Sequence, residues 1–457
     1  MTKNALILAA GKGTRMKRDI PKCIFPILKK PMIEYILEEI EASDIKQSYV
    51  VVGHKKDDVK KLLKDRVVYV DQDEQLGTAH AVLQARSFLE DKEGSTLIML
   101  GDMPLINQVI INKIIKRHEE NKADLTVVTS VVSNPKGYGR IIRDNEETIK
   151  GIVEELSCTP EQKAIQEINT GIYAVKNNIL FNIIDRIKKD PLKGEYYLTD
   201  IVKLMVEDYR VSTFKIRNES LIMGVNDLHA ISIAEKHFRE QINRNFMLEG
   251  VSMINPETIT IGHEVDIAPG VIIYPNTTIT GLSKIEANAE IGPNTELHNA
   301  IIKEDVTVKH SIIYNSIVEA RTTVGPFAHL RDGAHIGQDN RIGNFVEVKK
   351  STTQSETKAS HLAYIGDSVV GHNVNFGAGS ITVNYDGVNK HQTTIGDNVF
   401  IGCNTNLVAP VTVESNVFIA AGSTVTKDIP SGSLTIARNQ QINKADYYKN
   451  LIKPKKD

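Results

Sequence analysis

From Leu8 to Met16 the chain reads Leu-Ala-Ala-Gly-Lys-Gly-Thr-Arg-Met, and Pro21-Lys22 follows a few residues later. Glycines at 11 and 13 let backbone N–H groups come close to a phosphate, because no Cβ stands between them. Lys12, Arg15 and Lys22 supply the positive charge that a triphosphate requires. The spacing is neither GxGxxG nor a Walker sequence, which excludes the usual dehydrogenase and P-loop readings. Asp102 closes the apolar run 96–100, so its carboxylate belongs at the carboxyl end of a strand. A hard oxygen in that place suits Mg²⁺, although an isolated Asp is more commonly a turn or cap residue. A second concentration of polar groups lies far along the chain, in the segments 343–350, 361–367, 375–379 and 384–387.

The elements that would carry these residues are of two kinds. Short apolar runs at 5–10, 48–53, 67–70, 96–100, 125–132 and 170–175 alternate with helical patterns such as 32–40 and 78–89. Strands alternating with helices predict an α/β domain with a mostly parallel sheet, whose ligands bind at the carboxyl ends of strands. From 259 to about 436 the pattern changes, and one apolar residue recurs every sixth position. Ile261, Ile267, Ile273, Ile279, Ile285, Ile291 and Leu297 keep that register, which returns at Val324 to Val348 and at Ile395 to Val425. A period of six fits neither an amphipathic helix nor a meander; it is that of a hexapeptide β-helix, in which three short strands make one triangular coil. The stretches near 301–318 and 351–364 read as irregular, and 383–391 as a loop leaving the coil. Between the two regions, Leu228, Ile231, Phe238, Ile242 and Phe246 predict one long amphipathic helix. The tail from 443 is polar and Lys-rich, and reads as a weakly ordered surface segment.

Composition narrows the classes. Lys and Arg number 55 against 57 Asp and Glu, a formal charge of −2, which gives no support to nucleic-acid or membrane-surface binding. Cys23, Cys158 and Cys403 are odd in number and lack a CxxC spacing, which fits a reduced, cytoplasmic setting. The N-terminal apolar run is too short for a signal or membrane segment.

The run Leu8–Met16 with Pro21-Lys22 resembles the signature of sugar-nucleotide pyrophosphorylases. So do Glu74-Gln75-Leu76-Gly77-Thr78, Gly101-Asp102-Met103-Pro104, Gly137-Tyr138-Gly139-Arg140, Gly151-Ile152-Val153-Glu154, Glu167-Ile168-Asn169-Thr170-Gly171 and Gly224-Val225-Asn226. With the polar segments of the second region, the chain is similar over nearly its whole length to the bacterial bifunctional enzymes that make UDP-N-acetylglucosamine. The resemblance implies a Rossmann-like nucleotidyltransferase domain over 1–226, a linker helix over 227–250 and a left-handed parallel β-helix over 251–457. It implies acetyl-CoA-dependent acetylation of glucosamine 1-phosphate, then uridylyl transfer from UTP to N-acetylglucosamine 1-phosphate, a product used for peptidoglycan and other envelope polysaccharides.

The same resemblance assigns residues. Asp102 and Asn226 would hold Mg²⁺, and Lys22 the phosphates, with Arg15 a further candidate. Gln72, Gly77 and Thr78 would face the base; Gly139, Glu154 and Asn169 the sugar. Leu8, Ala9, Ala10, Gly11 and Gly101 complete that nucleotide- and sugar-binding set. In the second region an acyl transfer needs a group that removes a proton from the sugar amine, and His361 is the expected general base. Arg331, Lys349 and Lys390 would meet the sugar phosphate, and Tyr364 and Asn375 would hydrogen-bond the sugar. Ala378, Asn384, Tyr385, Cys403, Ala421 and Arg438 would line an acetyl-CoA groove between the prisms of a homotrimer. Three departures from the family pattern stand out: Leu100, where Tyr is frequent, Asp332, where Pro is usual, and Cys403, where Ser is frequent. Two alternatives stay open, a single-function pyrophosphorylase with a non-catalytic β-helix and a nucleotide-sensing scaffold.

Overall fold

A computed structural model describes residues 2–191 and 194–451. The chain divides into two compact units, Met1–His237 and Phe238–Asp457. The predicted long helix is present as Leu228–Leu248, and the division falls within it.

The first unit is built on a nine-stranded sheet among the described residues. Its main path runs Val211–Ile216, Leu125–Val131, Glu167–Lys176, Gly94–Leu100, Thr2–Leu8, Gln47–Val52, Val68–Asp71. Thr2–Leu8 is sandwiched in parallel between Gly94–Leu100 and Gln47–Val52. Its residues are buried on both faces. Ala5 and Ile7 pack with Ile33, Ile36, Ile111 and Ile114 from helices Met32–Glu41 and Gln108–Glu120. Leu6 packs on the other side with Val82, Leu180, Phe181 and Ile201. A strand covered on both faces reads as a continuous apolar run, and this is why ALIL carries no alternation. The run expected at 170–175 belongs to Glu167–Lys176, which is the antiparallel member of the path. Beside it stands a hairpin, Arg140–Arg143 with Ile149–Val153. The helix expected over 78–89 is two short ones, Thr78–Leu83 and Arg86–Leu89.

The second unit is a left-handed parallel β-helix with sheets of eleven, ten and nine strands among the described residues. Strands run from Ser252–Met253 to Leu434–Thr435, starting slightly before the expected 259. Ile261, Ile279 and Leu297 stack in one column and are fully buried. The stretches expected to be irregular are a correction. Ile301–Ile302, Thr307–Val308, Ile312–Tyr314 and Ile317–Val318 continue the coil, as do Thr352–Thr353 and Lys358–His361. Ile302, Val308, Ile313 and Val318 still point inward and are fully buried. The interval between some inward residues shortens from six to five, so the count slips while the prism does not. The excursion at 383–391 lies between Ile381–Val383 and Thr393–Ile395 as expected.

Of the polar tail, Tyr448–Leu451 is a short helix, and the remainder to 457 lies outside the described residues. Among the described residues no helix is long and apolar enough to cross a membrane.

Candidate active sites

In the first unit the strand register brings the two loops of interest together. Leu8 pairs with Leu100, and the Gly101 N–H donates to the Leu8 carbonyl at 2.9 Å. The Gly-rich loop and Asp102 therefore leave adjacent parallel strands at their carboxyl ends, the usual ligand edge of such a sheet. Here Lys22 spans two side chains: its ammonium donates to Asp102 Oδ2 and, at 2.6 Å, to Asn226 Oδ1. Arg15 also donates to Asn226 Oδ1, at 2.6 Å. The Val225 N–H reaches the Asp102 carbonyl at 2.8 Å, which brings segment 224–226 against 102. Asp102 Oδ1 is buried and has no hydrogen-bond partner among the described residues. A carboxylate oxygen left bare beside an amide oxygen fits a hard cation. Among the described residues no group of three His, Cys, Asp or Glu could hold a metal ion.

A cavity of about 300 Å³ opens beside this cluster, lined among others by Leu8, Thr78, Asp102, Gly139, Glu154, Asn169 and Asn226. A register shift in Glu167–Lys176 between Asn169 and Tyr173 lets the Asn169 amide turn and donate to the Tyr173 hydroxyl at 2.7 Å. Glu154 Oε1 accepts from Thr199 Oγ1 at 2.9 Å. Burial raises the pKa of Tyr138 and of Tyr173, and that of Tyr197 to about 12. These phenols therefore stay protonated.

Other expected residues stand behind the wall rather than in it. Gln72 is buried, its amide 3.0 Å from His80 Nδ1 and 3.5 Å from the Gly77 carbonyl. Gly77 has a φ of +112°, and a Cβ there would come within 2.5 Å of the Tyr196 carbonyl oxygen. That clamp seats segment 196–199, whose Leu198 N–H donates to Thr78 Oγ1 at 2.9 Å. Gly101 is packed less tightly, a Cβ there standing 3.1 Å from Ala9 Cβ and from the Leu8 carbonyl oxygen.

In the β-helix, one corner carries much of the expected second site. Asn344 pairs with His361, and successive coils place Ala378, Cys403 and Ala421 in the same row, each two residues beyond a paired inward position. His361 is exposed, with Nδ1 2.6 Å from Asn344 Oδ1. An amide oxygen only accepts, so in the neutral ring that makes this bond Nδ1 carries the proton and Nε2 presents its lone pair outward. On the adjoining sheet Arg331 pairs with Lys349. Lys349 is held below the usual lysine range by the Lys390 ammonium beside it. Arg331 Nε lies 3.0 Å from Glu347 Oε1, an ion pair without hydrogen-bond alignment. Its carboxylate neighbour is thus Glu347 rather than Asp332, which occupies a turn at φ +44°. Asn384 is buried and donates to Asp367 Oδ2 and, at 3.5 Å, to the Tyr364 hydroxyl. Tyr385, Cys403, Ala421 and Arg438 are exposed. Asn375 faces outward from a different sheet than Tyr364, so one prism does not bring those two to one face.

A protein of Acholeplasma laidlawii named "Bifunctional protein GlmU" is 60% identical over 455 residues, covering 100% of this chain and 99% of its own. The chain belongs to the GlmU family. GlmU proteins of Staphylococcus haemolyticus and of a Geobacillus species are 46% and 45% identical, each over 98% of this chain and 100% and 98% of theirs. Residues 4–221 match the nucleotidyl transferase family, and 392–427 the bacterial transferase hexapeptide family of six repeats. Sequence reasoning missed Tyr138, Tyr197 and Thr199 as wall residues of this GlmU-family chain. Tyr138 lay inside a recognised motif; the pair Tyr196-Tyr197 before Leu198-Thr199 was the remaining signal, in a segment without periodicity. Leu100 Cδ1 sits 2.8 Å from where a Gly171 Cβ would be, so its contribution to the cavity is packing.

Proposed function

We propose that this GlmU-family chain acetylates glucosamine 1-phosphate with acetyl-CoA and then joins the product to UTP-derived UMP, releasing pyrophosphate. The observation that carries the reading is the pairing, on one chain, of the Lys22–Asp102–Asn226 cluster with the Asn344–His361 pair. At the β-helix, His361 Nε2 takes the proton from the sugar amine as it attacks the thioester. Asn344 keeps that nitrogen unprotonated and aimed outward, and Arg331, Lys349 and Lys390 hold the sugar phosphate. At the α/β site, Lys22 binds the triphosphate, and the 137–139, 154 and 169–173 wall orients the acetylated sugar phosphate toward the α-phosphorus. Asp102 and Asn226 would hold Mg²⁺, which would supply neutralisation of the phosphate charge. Gly11 leaves open space in the loop, as a phosphate-facing glycine should.

Asn375 and Tyr364 lie on different sheets of the prism, and this supports an acetyl-transfer site completed by a neighbouring copy in a homotrimer. The reading also implies a cytoplasmic enzyme, because UTP and acetyl-CoA are its co-substrates. The deciding experiment follows thiol release from acetyl-CoA with glucosamine 1-phosphate in wild type and in His361→Ala, with uridylyl transfer assayed on the same preparations. We expect thiol release to fall by at least about 100-fold while uridylyl transfer persists. A wild-type protein that releases no thiol would leave a single-function pyrophosphorylase.

A further inference from the structure

The excursion 384–391 draws most of its shape from one side chain. Asp386 Oδ1 accepts from the N–H groups of Val388 at 2.8 Å and Asn389 at 2.6 Å. Its Oδ2 lies 2.7 Å from His391 Nε2. The Asp386 N–H closes the turn on the Asn389 carbonyl at 3.1 Å, and the His391 N–H returns to the Asn384 carbonyl at 2.8 Å. Tyr385 and Lys390 face each other in an antiparallel bridge, and the Tyr385 hydroxyl donates to the Gly387 carbonyl at 2.6 Å. Every one of these bonds is internal to the excursion, whose apex residue Val388 is 82% exposed. The root is secured separately, by Asn384 on Asp367 and Tyr364. At the far end the turn sets the Lys390 ammonium beside Lys349, with the Asp367 carboxylate, Tyr364 and Arg331 also facing it. The Asp367 carboxylate offsets part of the repulsion between the two ammonium groups, and the backbone that carries Lys390 must still be held for them to stay together. Asp386 and its bonds are what hold it.

We propose that Asp386, with His391, is a positioning residue of the acetyl-transfer site. It fixes the turn that presents Lys390 alongside Lys349, so that a dianionic phosphate finds its cations already gathered. This rests on the acetyl-transfer reading above. Loss of the carboxylate frees Lys390 to leave Lys349, which weakens capture of the phosphate-bearing substrate and leaves the His361 proton transfer intact.

The test measures acetyl-transfer kinetics of the full chain as wild type, Asp386→Ala and Asp386→Asn, with melting temperature and uridylyl transfer on the same samples. Asp386→Ala should raise KM for glucosamine 1-phosphate by about tenfold or more, with kcat within about threefold, and should blunt competitive inhibition by inorganic phosphate. Asp386→Asn keeps an acceptor for the two N–H groups and should restore most of the affinity. Equal KM values in wild type and Asp386→Ala overturn the proposal, as does a parallel fall of kcat in both variants with KM unchanged. A wild type without acetyl transfer refutes the functional reading instead, so the two failures are separable.

Discussion

Lys22 touches the same two groups that would hold the metal. Its ammonium reaches Asp102 Oδ2 and Asn226 Oδ1, and Asp102 Oδ1 remains bare and buried. An ammonium and a divalent cation repel, and they contend for the same oxygens. Lys22→Met should therefore tighten Mn²⁺ binding in the absence of nucleotide, read from loss of the free Mn²⁺ paramagnetic-resonance signal, while weakening UTP. Asp102→Asn should lose the ion in either background; an unchanged Mn²⁺ titration in both variants would sink the assignment. The three thiols make a second residue-level contrast. Burial pushes Cys23 up to about 12 and also raises Cys158, whereas Cys403 is exposed on the His361 corner row. Iodoacetamide at neutral pH should label Cys403 first, and acetyl-CoA should protect it. Equal labelling with and without acetyl-CoA would remove Cys403 from the groove.

At the scale of elements, glycines separate shape from function. A Cβ on Gly402 would stand 2.4 Å from the Ala421 nitrogen and 2.6 Å from the Ile419 carbonyl oxygen, both backbone atoms of the next coil. A Cβ on Gly11 would meet nothing within 4 Å. Gly402→Ala should cost the β-helix at least about 2 kcal/mol in denaturant unfolding, because the coils cannot separate locally. Gly11→Ala should leave stability unchanged and raise KM for UTP, since the added methyl occupies space meant for phosphate. A Gly11→Ala protein with an unaltered KM would show that the loop does not meet the nucleotide. The same elements explain what the sequence revealed. The period of six was legible because most inward residues are apolar, with Thr353 and Thr382 as buried polar members of the same columns. Where Leu297 is followed by Ile302, and Val308 by Ile313, a shortened corner keeps the residue inward yet breaks the count, so a regular coil read as irregular. The antiparallel direction of Glu167–Lys176 was hidden for a related reason: a strand buried on both faces has the same composition whichever way it runs. Of the cavity lining, Asp102, Gly139, Glu154, Asn169 and Asn226 stood in motifs and were legible, Tyr138 was passed over within one, and Thr199 and Tyr197 had no motif, since their position depends on the Gly77–Tyr196 clamp.

For the whole molecule, the two units should part company in mild acid. His118 in the first unit is 3% exposed, its ring nitrogens 3.0 Å from Ser95 Oγ and 2.9 Å from Thr126 Oγ1. Burial, helped by the nearby Lys176 charge, lowers its pKa to about 4 from an ordinary 6.5. The unfolded chain then binds a proton that the folded unit refuses. The stabilisation is complete above pH 6.5 and is lost as pH falls through that window toward 4, amounting to roughly 2 kcal/mol by pH 5. Glu167 acts lower down: burial opposes its ionisation, but Arg143 and Thr129 prevail and bring it to about 2, so its contribution persists at pH 5 and is lost only below about 4.5. In the β-helix, Glu286, Asp339 and Asp386 are likewise held below the ordinary carboxylate range by Lys303, Arg321 and the Asn389 N–H, so they too stay ionised at pH 5. Calorimetry from pH 7 to 5 should thus move the α/β transition down by about 4–8 °C and the β-helix transition by less. UTP with magnesium identifies the former by raising it. Replacement by glutamine, His118→Gln, should lower the α/β transition at pH 7 and flatten its pH dependence; an equally steep dependence in that variant would assign the acid lability to another group.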